Sequence, residues 1–154
     1  MPKKHSHEHQ GKHAAANQEN DQELQKKYMQ LQIIKQQFSA LVEEKNSVTE
    51  KLTEISTTID AMKKLPSVKI GEEMWSSIGS GAFVRSDIKD TENVFVAAGA
   101  GVVIKETREK GIQILTGRMN ELEKIDTQLA EEINKFGEAA ARLEQELQHA
   151  VENR

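Results

Sequence analysis

The chain of 154 residues carries 21 basic and 25 acidic side chains, a net charge of −4, and no cysteine. Such a length predicts one domain, and the missing cysteines exclude a disulfide framework, thiolate catalysis and Cys-ligated zinc or iron–sulfur centres. The acidic balance argues against nucleic acid as a partner, and no apolar run approaches the roughly 18 residues of a membrane span. The polar first twenty residues do not read as a secretory leader, so a soluble, intracellular protein is expected. Four Phe, one Trp and one Tyr are few for a deep core, which favours an extended molecule.

Residues 1–21 hold His5, His7, His9 and His13 but no large apolar residue after Met1. Such a segment cannot bury enough surface to offset ordering entropy and is expected to be disordered. Alternating imidazoles can bind zinc, nickel or copper, yet a disordered tail supplies nothing to fix them. The expectation is no metal site.

From residue 22 to 65 a heptad predicts helix one. Its a positions are Leu24, Leu31, Phe38, Lys45, Leu52 and Ile59, and its d positions are Lys27, Ile34, Leu41, Val48, Ile55 and Met62. Only two of these twelve are charged, which is a coiled-coil signature. Pro66 ends the helix, because the residue before proline avoids helical geometry.

Residues 66–105 change character. Strands are expected at 73–78, 82–88, 93–98 and 102–105, joined by the short connectors Gly79-Ser80-Gly81 and Gly99-Ala100-Gly101. Asp90-Thr91-Glu92-Asn93 supplies turn chemistry between the two hairpins. Four short strands cannot close a barrel, and open apolar edges invite pairing with other chains. Trp75, Ile78, Phe83, Val84, Val94, Phe95, Val96, Val102 and Ile104 are the candidate assembly residues.

Residues 106–151 form helix two, with a positions Ile112, Met119, Asp126, Ile133, Ala140 and Leu147 and d positions Leu115, Leu122, Leu129, Phe136, Leu143 and Ala150. Folding the helices back antiparallel sets Ile59 near Leu115 and Phe38 near Phe136. Leu24, Tyr28, Leu31 and Ile33 then meet Leu143, Leu147 and Val151 at the helix ends. Fraying there would expose an apolar patch able to grip another protein; the simpler alternative is ordinary seam packing. Gly111, Gly117 and Gly137 interrupt helix two and are candidate bending points.

No active site emerges. The two G-x-G triplets do not continue as G-x-G-x-x-G, no G-K-[ST] follows, and the HEHQG stretch lacks a second His at the zinc-protease spacing. His149, the only histidine beyond the tail, has no Ser or acid arrangement around it to form a triad. The expectation is a protein without catalysis or cofactor.

The segment GSGAFVRSDIKDTENVFVAAGAGVVIKE, residues 79–106, resembles the paired hairpins of the prefoldins. Its G-x-G-x-F-[VI]-[KR] turn and strand, its IKDT and its GAGV-x-[VI]-K are similar to the α-type subunit, which has two hairpins where β-type subunits have one. The resemblance spans residues 22–154. It implies a helix-dominated α+β fold, a long antiparallel two-helix coiled coil joined by two β-hairpins that form an oligomeric β-barrel body. It also implies a hexamer of two α-type and four β-type subunits that captures unfolded client polypeptides at its coiled-coil tips without ATP. Transfer to a group II chaperonin, in an archaeal-like cytoplasm, follows from the same resemblance, with neither nucleic acid nor membrane as partner. Two rival readings stand beside it: a self-assembling coiled-coil scaffold or filament, and a metal-handling protein or enzyme using the His-rich tail.

Overall fold

The computed structural model describes residues 8–152, with side chains from Asn20 onward. Helix α1 spans Glu8–Lys64, a 3-10 turn covers Leu65–Ser67, and strands β1 (Glu73–Gly79), β2 (Ala82–Asp87), β3 (Asn93–Gly99) and β4 (Val102–Thr107) precede helix α2 (Arg108–Glu152). The architecture is the expected helix-dominated α+β, two long helices bracketing two small antiparallel hairpins.

The helix start corrects the sequence reading, which placed residues 8–21 in a disordered tail. Burial arguments see nothing in that stretch, but a helical backbone needs only good formers and no interruption. Ala14, Ala15, Ala16 and the following Gln and Glu residues satisfy this, and no proline intervenes before Pro66. His5 and His7 lie outside the described residues, and the side chains of His9 and His13 likewise. At the other end α1 stops two residues before Pro66. There Ser67 Oγ donates to the Lys64 carbonyl at 2.7 Å and Val68 N–H donates to that of Leu65 at 3.1 Å.

The chain divides into two compact units, one built from the chain up to Lys45 together with Gln128 onward, the other from Asn46–Thr127. In the first, Leu24, Leu31 and Leu147 form a buried cluster on which Ala140, Leu143 and Ala150 pack. Phe38 reaches α2 at Gly137, its ring 3.5 Å from where a β-carbon there would stand. Lys27, a charge on the seam, donates to Glu146 at 2.9 Å, and Lys35 pairs with Glu144 at 2.7 Å. Such exposed pairs are worth about 0–1 kcal/mol each.

In the second unit Ile59, Met62, Leu115 and Val96 form the buried cluster, with Ile55, Val94, Ile112, Ile114 and Met119 packed against it. The expected Ile59–Leu115 neighbourhood is therefore present. Asp126, the single charge on the α2 seam, accepts from Thr49 Oγ1 at 3.4 Å. Helix α2 is capped by Thr107, whose Oγ1 accepts from the Lys110 N–H at 3.2 Å.

Each hairpin is a separate two-stranded sheet. Pairing runs Glu73↔Asp87 to Ser77↔Phe83 in one and Asn93↔Thr107 to Ala97↔Val103 in the other, with a register shift just before each turn. The turns use positive φ throughout, including Ser80 at 50° and Ala100 at 49°. A β-carbon in this left-handed region costs about 1–2 kcal/mol, and asparagine bears it best after glycine. Ala100→Asn is therefore expected to raise the thermal midpoint and to slow amide exchange across β3 and β4. An unchanged midpoint would mean that the turn relaxes without cost.

Candidate interaction surfaces

The two hairpins differ in what covers them. Along β3 the pleat alternates: Val94 and Val96 face the chain's own cluster while Phe95 points away and is 73% exposed. Register sets Ile104 opposite Val96 on the inner face, and Val103 opposite Ala97 on the outer one. Polar contacts pin this hairpin to α2. Arg118 Nη2 donates to the Ala97 carbonyl, Arg108 Nη1 to that of Thr91 at 3.4 Å, and Arg108 N–H to that of Glu92 at 2.7 Å.

Among the described residues hairpin β1–β2 has no such support, and none of its residues belongs to either buried cluster. Trp75, 69% exposed, sits diagonally from Phe83 on one face, beside the Glu73–Arg85 ion pair. Met74 and Val84 occupy the opposite face, with Ser76 and Ser86 sharing a hydroxyl hydrogen bond of 2.6 Å. A two-stranded ribbon alone is marginal in water, and this one is apolar on both sides with free edges.

The nine candidate assembly residues therefore split. Trp75, Ile78, Phe83, Val84, Phe95 and Val102 are exposed, whereas Val96 is 6% exposed and Val94 and Ile104 are half-buried. Val94 and Val96 are spent inside the chain, a correction to their expected role. The strand text is apolar at consecutive positions, so alternation alone does not tell the inner face from the outer. For Gly111, a candidate bending point from its sequence position, the structure supplies a different reason. A β-carbon there would lie 2.6 Å from Val94 Cγ2 and 2.7 Å from Met62 Cε, so glycine permits α2 to approach the hairpin.

Between the hairpins Asp90 builds the connecting turn, accepting from the N–H groups of Glu92 at 2.8 Å and Asn93 at 3.0 Å. The Asn93 side-chain amide, with those two N–H groups, holds its carboxyl below the usual carboxylate range.

At the helix-end unit the expected patch is also redistributed. Leu24, Leu31 and Leu147 are buried, Leu147 to 4%, and Leu143 is half-buried against them. On α1, Leu24 and Leu31 lie well inside a helix that begins upstream at Glu8, not at its end. What remains exposed is Tyr28, Ile33 and Val151, joined by Met29, which the sequence reading missed. Its signal was position: Met29 lies off the seam, one turn before Ile33, so the pair shares an outward face.

Among the described residues no group of three His, Cys, Asp or Glu side chains could hold a metal ion. No helix among them is long and apolar enough to cross a membrane.

Comparison with known proteins identifies the family. The family model "Prefoldin subunit" matches residues 34–153. Prefoldin subunit alpha of Methanococcus vannielii is 28% identical over 128 residues, covering 83% of this chain and 86% of its own. That of Pyrobaculum islandicum is 32% identical over 127 residues, covering 82% and 94%. Two solved structures share the fold. A filamentous PFD from Methanocaldococcus jannaschii superposes with a TM-score of 0.64 at 16% identity, over 75% of this chain and 96% of its own. The prefoldin beta subunit from Thermococcus strain KS-1 gives 0.57 at 20% identity, over 83% and 91%. With a family match across most of its length and two hairpins set between long helices, the chain belongs to the prefoldin family.

Proposed function

We propose that this chain is the α-type subunit of a hexameric prefoldin, two such subunits joining four β-type subunits through their strands. The observation that carries the reading is hairpin β1–β2, apolar on both faces and unsupported by its own chain. Each Phe- or Leu-sized side chain it buries on assembly contributes roughly 1.5–3 kcal/mol, and pooled strands close the body into a β-barrel without free edges. The role is that of an ATP-independent co-chaperone of the cytoplasm, holding unfolded polypeptides at the helix ends and passing them to a group II chaperonin. It requires no catalytic group and no cofactor.

Holding rests on many weak contacts. The exposed set Tyr28, Met29, Ile33 and Val151 supplies apolar surface without fixed shape, while Leu24, Leu31, Leu143 and Leu147 hold the helices that display it. Several subunits around one client raise avidity by about 10²–10⁴ over a single site. Tyr28→Ser combined with Ile33→Ser is expected to weaken suppression of client aggregation severalfold while native mass is unchanged. Undiminished suppression would move the client site elsewhere. Leu24→Ser with Leu147→Ser, by contrast, loosens the helix pair itself and reads as lost helicity.

The assembly is tested by native mass and subunit content of the protein purified from its source cells. A six-subunit particle containing a one-hairpin partner supports the reading. A stable assembly of this chain alone would favour the self-assembling scaffold, which the same open strand edges also permit.

A further inference from the structure

Methionine is the only sulfur in this chain, which has five Met and no Cys. The described methionines sit in different settings. Met62 is 9% exposed within the hairpin-side cluster, and Met119 packs half-buried against it. Met74 is partly open on β1, in the hairpin proposed above to be covered on assembly. Met29 is 64% exposed, the most open of the four, with Tyr28 beside it and Ile33 one turn along the same face.

We propose that Met29 is an oxidative modification site through which peroxide tunes the helix-end surface. A peroxide transfers one oxygen to the thioether: the sulfur–oxygen bond forms, the oxygen–oxygen bond breaks, sulfur is oxidised to the sulfoxide and the peroxide is reduced to water. The product is polar and chiral where an adaptable apolar group stood. Met29 belongs to neither buried cluster, so oxidation alters the surface and leaves the fold intact. A thiol-dependent sulfoxide reductase reverses the change. The effect on polypeptide capture rests on the client reading above; the chemical site itself rests only on exposure.

The test treats the assembled particle, carrying the full chain, with limiting hydrogen peroxide and follows each methionine by peptide mass. Met29 is expected to gain one oxygen at least about fivefold faster than Met62 or Met119, with native mass and helicity unchanged. Suppression of client aggregation should fall in step in the unaltered protein, whereas Met29→Leu, measured against its own untreated level, should lose nothing further on treatment; Met29→Gln should be reduced without treatment. Comparable oxidation of Met62 or Met119 overturns the site. Equal loss of holding in treated Met29→Leu overturns its effect on capture. If instead Tyr28→Ser with Ile33→Ser leaves holding intact, the client reading fails while the oxidation order still decides the site.

Discussion

Replacing Gly111 with valine is expected to lower the thermal midpoint of the isolated subunit and detach hairpin β3–β4 from the helices. The added β-carbon meets Val94 Cγ2 at 2.6 Å and Met62 Cε at 2.7 Å, with Val96 Cγ2 at 3.3 Å. Met62 ends in a flexible thioether and can swing aside, but Val94 is stiff at χ1 and sits on a strand held by its register. Overpacking of this kind costs about 1–3 kcal/mol, more than the few tenths that valine gains over glycine as a helix former. Gly117→Ala is the control on the same helix. Nothing lies within 4 Å of its β-carbon position, so it should gain about 1 kcal/mol. Opposite shifts of the two midpoints establish the close approach of α2 to the hairpin. A Gly111→Val subunit as stable as wild type would abolish it.

Gly111 also marks where sequence reading stops. The heptads were legible because seam burial repeats with the sequence: Leu24, Leu31, Val48, Ile59 and Met62 on α1, and Leu115, Leu129 and Leu147 on α2, are all buried at assigned a or d positions. The hairpins were legible from their paired glycine turns, with boundaries moving by no more than two residues. A glycine needed for close approach carries no local signature, since its reason is a valine on a strand many residues away. The same holds for Val94 and Val96, whose inward direction is set by what α2 offers. The helix-end patch was misread for a related reason. A tail without apolar residues gave no sign that α1 continues to Glu8, which places Leu24 inside the helix and leaves Tyr28, Met29 and Ile33 as the exposed surface.

Phe83→Asp and Val96→Asp both put a carboxylate on a hairpin, and their expected consequences are opposite. Val96 is 6% exposed between Ile59, Met62 and Leu115, so an aspartate there has no partner in an apolar cluster. Burying such a charge costs several kcal/mol, or the hairpin opens to hydrate it. Either way the isolated subunit loses stability before assembly is considered. Phe83 is exposed on a hairpin that contributes nothing to either cluster. Its substitution should change the subunit's own stability by no more than about 0.5 kcal/mol. Helicity stays at the wild-type level, and the loss appears only when partners are added, because the carboxylate then has to be desolvated against their strands. Native mass of the mixture should fall from the full particle to separate subunits. A Phe83→Asp subunit that assembles normally would remove hairpin β1–β2 from the interface. One that melts early by itself would mean that Phe83 has an internal partner. An intact helical subunit that no longer assembles would assign β1–β2 to the partner subunits and β3–β4, through its inner face, to the chain's own core.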